Sequence, residues 1–199
     1  MRNTGFIASG YDPHDIIIDA PSENLPSEYS YDPYIRFVKD QGYTSMCVPY
    51  SISYAIELLN ECNNRLIKMD VEDIYNQRTN EGEGMMIREA LSIMKNNGYK
   101  FDEGHDKILQ YGRLTSERSI KWSLIANGPC IMALPVRSAN SSFWRGNEDR
   151  GGHAICCIGY NEYGFVLLNT WGRSWGEFGQ CILPYDEINT IIECWGIIS

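Results

Sequence analysis

Apolar positions in this chain follow a helical period in the first half and form short continuous runs in the second. Tyr54, Ala55, Leu58 and Leu59 recur at helical spacing and predict a helix that starts at or near Cys47 and ends near Asn63-Asn64. Asp70 caps a short helix with Val71, Ile74 and Tyr75 inward, and Glu81 to Gly84 reads as a loop. Met86, Ile87, Ala90, Leu91 and Met94 then keep 3.6-residue spacing up to a stop at Gly98, which makes the methionines core residues first of all. Tyr99 to Arg113 reads as a loop rich in charges and glycines, and Ser116 starts a helix that ends at Asn127-Gly128-Pro129.

Strands follow. Cys130 to Val136 is a short apolar strand, Ser138 to Asp149 a polar connection containing Phe143 and Trp144, and Gly151-Gly152 admits a strand beginning at His153. Asn161-Glu162-Tyr163-Gly164 makes a turn between two apolar runs, so the flanking segments read as a hairpin with His153 and Asn169 at the same open end. The last strands run around Cys181-Ile182-Leu183 and Ile191 to Ile198. Residues 1–37, with prolines at 13, 21, 26 and 33, form an extended arm.

Composition narrows the classes of partner. The 199 residues are enough for one folding unit with a sizeable core, or two small lobes sharing one. Seventeen basic against twenty-six acidic residues give a net charge of −9, which makes nucleic acid an unsuitable partner. No apolar run approaches a membrane span, and Met1 to Ile7 lacks the apolar core of a signal peptide, so the expectation is a chain made and kept in the cytoplasm of its producing cell. The seven cysteines are odd in number, without C-x-x-C spacing. They read as reduced, mostly buried thiols, because His14, His105 and His153 offer no paired spacing for a zinc site.

One cysteine stands apart. Cys47 at a helix start would meet unpaired N–H groups and the positive end of the macrodipole, both of which favour thiolate. Gln41, six positions earlier, can aim an amide at the atom a thiolate attacks. Such a thiolate needs an imidazole to hold its proton, and His153 with Asn169 as orienter meets that need. A lone buried cysteine is usually inert and a lone histidine at a strand start usually a satisfied surface residue, but four polar residues matched in order and context argue jointly for catalysis.

These segments resemble the papain family of cysteine peptidases: Gln41-Gly42 leading to Cys47, His153-Ala154 before a strand, and Asn169-Thr170-Trp171-Gly172-Arg173-Ser174-Trp175-Gly176. Gly5-Phe6-Ile7, Asp12-Pro13-His14-Asp15 and Leu25-Pro26 resemble the arm of the shorter bacterial and viral-type members, with His14 where arginine is usual. The resemblance implies an α+β, papain-like two-lobed fold over 1–199. A helical lobe at 38–127 and an antiparallel β-barrel-like lobe at 128–199 would flank a cleft. It implies a cysteine-type endopeptidase with Cys47 as nucleophile, His153 as acid/base and Asn169 as orienter, and with Gln41 and the Cys47 N–H as oxyanion hole. Gly84, Met86, Ile87, Ala133, Gly151 and Ala154 would line the substrate, with Trp171 and Trp175 in support. The implied partner is a polypeptide substrate, and a protein inhibitor is a second class the resemblance allows. No metal or organic cofactor and no membrane is implied.

Several positions depart from the pattern. Thr44 takes the place of a disulfide cysteine, Met46 and Val48 replace the usual neighbours of the nucleophile, and Met85 replaces a second wall glycine. The interval from Cys47 to His153 is shorter than the roughly 130 residues of lysosomal members, so loops there are trimmed. The competing readings are a binding or structural protein that keeps the fold without turnover, and another acyl transfer, transpeptidation or deamidation, through the same thiol. The arm is too short for a helical inhibitory propeptide. Either activity is unmasked from synthesis or the arm itself covers the cleft.

Overall fold

The computed structural model describes residues 4–102, 104–136, 142–145 and 151–199. Its four helices stand where the 3.6-residue spacing and the caps place them. Helix α1 spans Cys47–Cys62 and carries Pro49 in its first turn, where a missing N–H costs nothing. Helix α2, Val71–Asn76, starts at Asp70, whose carboxylate accepts from the Glu72 and Asp73 N–H groups at 3.1 Å. Helix α3, Ile87–Asn96, turns off at Gly98, which takes the left-handed φ of 91° that a side chain would resist. Helix α4, Glu117–Ala126, opens on a reciprocal cap in which Ser116 and Ser119 each accept from the other's backbone N–H at 3.0 Å.

Eleven short strands complete the described chain. The arm holds β1, Phe6–Ile7, and β2, Tyr29–Ser30; β3 is Met85–Met86. Tyr99 to Arg113, expected as a loop, is instead a hairpin of β4, Tyr99–Phe101, and β5, Gly104–Asp106, followed by β6, Gln110–Arg113. Three residues are too few to show alternation in a sequence. Tyr99 is buried while Lys100 faces out, and Gly112 leaves the room that the Ile18 side chain fills.

The main sheet orders its strands β10-β9-β8-β7-β11-β6, where β7 is Cys130–Pro135, β8 Gly152–Tyr160, β9 Gly164–Leu168, β10 Gln180–Pro184 and β11 Glu193–Ile198. Every ladder in it is antiparallel, and β2 adds to β8. The expected barrel-like form is corrected: among the described residues β10 and β6 are the outermost of these strands and do not pair with each other, so the sheet is open. Strand β6 and helix α4 precede residue 128 yet pack with this sheet.

Strand β8 is covered on both faces, which explains its unbroken apolar run. Ala154, Cys156 and Ile158 point into one core with Val48, Ile52 and Ala55 of α1, while Ile155, Cys157 and Tyr160 point into a second with Ile120 and Leu124 of α4. The adjacent cysteines thus face opposite ways, as period-two geometry requires. Helix α1 packs directly on β8 and β7.

All seven cysteines carry free thiols, including Cys130 and Cys194, whose sulfurs lie 3.7 Å apart without a bond. Alkylation of denatured protein without reductant should modify all seven, read by mass spectrometry. Protection of Cys130 and Cys194 together would show that they close to a disulfide in the native protein.

Candidate active site

The site is built where the first turn of α1 meets the start of β8. Ser51 of α1 donates from Oγ to the Ala154 carbonyl at 2.9 Å, fastening the helix to the strand one residue beyond His153. The Cys47 side chain is fully buried at that junction, and its sulfur accepts from the backbone N–H of Gly5 at 3.3 Å.

His153 Nε2 lies 2.8 Å from Asn169 Oδ1. The Thr170 N–H donates to that same atom at 2.8 Å, so the atom is the amide oxygen and the imidazole proton sits on Nε2. His153 Nδ1 is then a bare acceptor, buried and without a hydrogen-bond partner. The ring packs against Trp171 at 4.4 Å between centroids, with Trp144 nearly parallel to it at 6.3 Å and 6.2 Å from Trp171; Trp175 meets Trp171 edge-on at 5.5 Å. Trp144 reaches the site because residues 142–144 extend the sheet at β10. Ile182 N–H donates to Ser142 O and Trp144 N–H to Ile182 O, both at 2.8 Å, and the indole N–H donates to Pro135 O at 3.1 Å. The rest of the expected connection at 138–149 falls outside the described residues.

Gln41 is joined to the segment after Asn169. Its N–H donates to Thr170 O at 2.8 Å, its Oε1 accepts from Thr170 Oγ1 at 2.5 Å, and its Nε2 donates to Thr44 O at 2.8 Å. The three motifs far apart in sequence therefore meet, and Thr170 is the link that a sequence reading passes over as an ordinary strand-end residue.

The expected substrate wall is occupied by the chain's own arm. Strand β1 pairs in parallel with β3, Phe6 opposite Met85 and Ile7 opposite Met86, and the Met85 N–H donates to Gly5 O at 2.7 Å. Gly5 lies so close to Ser45 that an added Cβ would fall 1.8 Å from its carbonyl oxygen. Phe6 packs over Gly152, and Thr4 Oγ1 lies near Gly151. Ala133 and Ala154 are register partners on β7 and β8, fully buried with Ile87 in the core against which Phe6 packs, while Met86 is half-buried. Gly84 takes φ of 91° beside Gly5. Glu83, which the sequence reading did not single out, accepts from Ser45 Oγ at 2.6 Å.

Burial sets the charge state. Loss of water pushes the Cys47 thiol up, against the Gly5 N–H that favours the thiolate. The same loss brings His153 down to about 4 against the opposing bond to Asn169. Burial thus disfavours the charged form of both the thiol and the imidazole. Among the described residues no group of three or more His, Cys, Asp or Glu is placed to hold a metal ion, and no helix is long and apolar enough to cross a membrane.

A mixed fold in which a helix start meets a strand carrying an imidazole is the layout of papain-like cysteine proteases, and solved structures agree. Xylellain, a cysteine protease from Xylella fastidiosa, superposes with a TM-score of 0.83 over 98% of this chain and 96% of its own, at 22% identity. An uncharacterized peptidase C1-like protein of Acanthamoeba polyphaga mimivirus is 42% identical over 201 residues, 75% of this chain and 64% of that protein. Cathepsin K of Mus musculus is 22% identical over 197 residues, 81% of this chain and 60% of its own. No family model matches the chain. These likenesses place the chain with the papain-like fold and with C1-type cysteine peptidases as what it is similar to. It spans about three fifths of the length of the curated relatives it matches.

The lowered imidazole has a consequence for stability. An unfolded His153 takes up its proton as pH falls through 6.5, the folded one only near about 4, so stability present above 6.5 is lost progressively across that interval. Asp15, held low by Arg88 and Arg113 against its burial, acts in the same direction at lower pH. The melting temperature should fall on acidification, and fall less steeply in His153→Asn. Equal slopes would show that His153 is not buried in the neutral form.

Proposed function

We propose that the chain is a cysteine-type endopeptidase, one peptidase unit across 1–199. The observation that carries this reading is the His153 ring, proton on Nε2 to Asn169 and Nδ1 left as a bare acceptor, next to the helix start that holds Cys47. Cys47 Sγ gives its proton to His153 Nδ1 and attacks the peptide carbonyl carbon. The oxyanion that forms takes hydrogen bonds from the Cys47 N–H and Gln41 Nε2, preorganised by the Thr170 contacts. His153 then protonates the departing amine as the C–N bond breaks. Water, deprotonated by His153, cleaves the thioester and regenerates the thiol. Asn169 orients the ring throughout, and Trp171 and Trp144 keep water from its hydrogen bond. The seven free thiols support a reducing compartment, the cytoplasm of the producing cell, as the place of action.

Cys47→Ala should abolish hydrolysis of unfolded polypeptide with the fold intact, and Asn169→Ala should lower it by a smaller factor, because one does covalent chemistry and the other only orients. Purified Cys47→Ala protein that still cleaves peptides would sink the mechanism.

The pocket for the second side chain before the scissile bond is assigned to Met86, Ile87, Ala133, Gly151 and Ala154, all apolar or without a side chain. A charge there would lose hydration without gaining a partner. Cleavage of a peptide library should favour aliphatic and aromatic residues at that position, with differences of about 1–3 kcal/mol between neighbours in size and stronger rejection of charge. Fastest cleavage with Asp, Glu, Lys or Arg there would remove the pocket assignment.

A further inference from the structure

Helix α1 begins without a side-chain cap, since its N-cap residue is Met46, so the aim of its first N–H groups depends on what holds the turn before it. We infer that Glu83 is a positioning residue for the oxyanion hole, whose carboxylate acts through Ser45 to fix residues 41–46. The inference rests on the peptidase reading of Cys47 and adds a residue to it.

The turn is closed on itself and tied at its Gln41 end. Gln41 O accepts from the Thr44 N–H at 3.2 Å and from Thr44 Oγ1 at 2.7 Å, and Gln41 Nε2 donates to Thr44 O at 2.8 Å. The Gln41 N–H bond to Thr170 O fastens that end to the segment after β9. The Ser45 end is fastened by Glu83. Ser45 Oγ donates to Glu83 Oε2 at 2.6 Å, the short separation of a hydroxyl bonded to a carboxylate. Ser45 is 6% exposed, so without Glu83 its hydroxyl has little water at hand as a replacement.

Glu83 is itself firmly mounted. Gly82 O accepts from Asn80 Nδ2 at 2.9 Å and from Arg78 Nε at 3.3 Å, Gly84 O accepts from Asn80 Nδ2 at 3.2 Å, and the Gly84 N–H donates to Tyr75 Oη at 2.9 Å. The residues on both sides of Glu83 are thus tied within the loop and to Tyr75 of α2, while the carboxylate reaches across to the turn. A side chain has to make this link, because Thr44 stands where the papain-family resemblance puts a disulfide cysteine and all seven cysteines are free. Ser45 precedes Cys47 by two residues. Its displacement moves the Cys47 N–H and, through the closed turn, Gln41 Nε2. Both donors serve an oxyanion that forms only as the thiol attacks, so losing the tie slows the chemical step more than it weakens peptide binding.

The test is peptide hydrolysis by the full chain and by its Glu83→Ala, Glu83→Gln, Ser45→Ala and Ser45→Ala/Glu83→Ala forms, with iodoacetamide alkylation of Cys47 followed in parallel by mass spectrometry. Alkylation displaces iodide at a saturated carbon and forms no oxyanion. Glu83→Ala should lower kcat about tenfold to a hundredfold, with KM and the Cys47 alkylation rate within about threefold of the unsubstituted chain. Glu83→Gln keeps an acceptor oxygen for Ser45 and should recover most of the loss. Ser45→Ala should reproduce the loss, and the double substitution should add little to it. An unchanged kcat in Glu83→Ala overturns the inference, and so do equal falls in kcat and alkylation, which would mark a general loosening. If Glu83→Ala does not fold, Ser45→Ala decides by the same readouts. An unsubstituted chain that is alkylated at Cys47 yet cleaves no peptide removes the peptidase reading and the inference with it, whereas an active chain indifferent to Glu83 removes the inference alone.

Discussion

The packing of the first turn of α1 onto the start of β8 is the constraint on which the rest of the molecule depends. Ser51 clasps β8 to the helix by donating from Oγ to the Ala154 carbonyl at 2.9 Å. That clasp fixes where His153, the preceding residue, stands relative to the helix start. It holds because β8 is buried on both faces, by α1 on one and α4 on the other, and cannot slide without turning apolar side chains to water.

Around this junction the backbone does the orienting that side chains are too mobile to do. Thr170 donates its N–H to Asn169 Oδ1 and its hydroxyl to Gln41 Oε1, and thereby settles the direction of two amides at once. The indole of Trp171 packs on the imidazole, and Trp144 and Trp175 back that indole. Dryness has a cost for chemistry, since it disfavours the thiolate and the imidazolium alike.

Much of this was legible in residue order. Helix spacing located Cys47 at a helix start, the turn at Asn161 to Gly164 paired the strands that bear His153 and Asn169, and Asp70 and Ser116 announced their helices by caps. These are local signals, carried by neighbours within a few residues. The hairpin at Tyr99 to Asp106 was not legible, because its strands are three residues long and draw their stability from burial of Tyr99. Trp144 gave no sign of its place against His153, because its loop is aligned by hydrogen bonds to Ile182, nearly forty positions away along the chain.

The sequence by itself determined the family resemblance, the mixed fold class and the candidate chemistry at Cys47, His153 and Asn169, since those follow from residue type, order and local period. It left open whether the arm covers the cleft. Only the tertiary structure decided that Gly5 lies on the Cys47 sulfur, that Asp15 joins Arg88 and Arg113, and that the sheet stays open. The physical reason is that each of these depends on contacts between distant segments. Burial there, of a thiol or of a carboxylate, is a property of what packs against it and not of the residue itself.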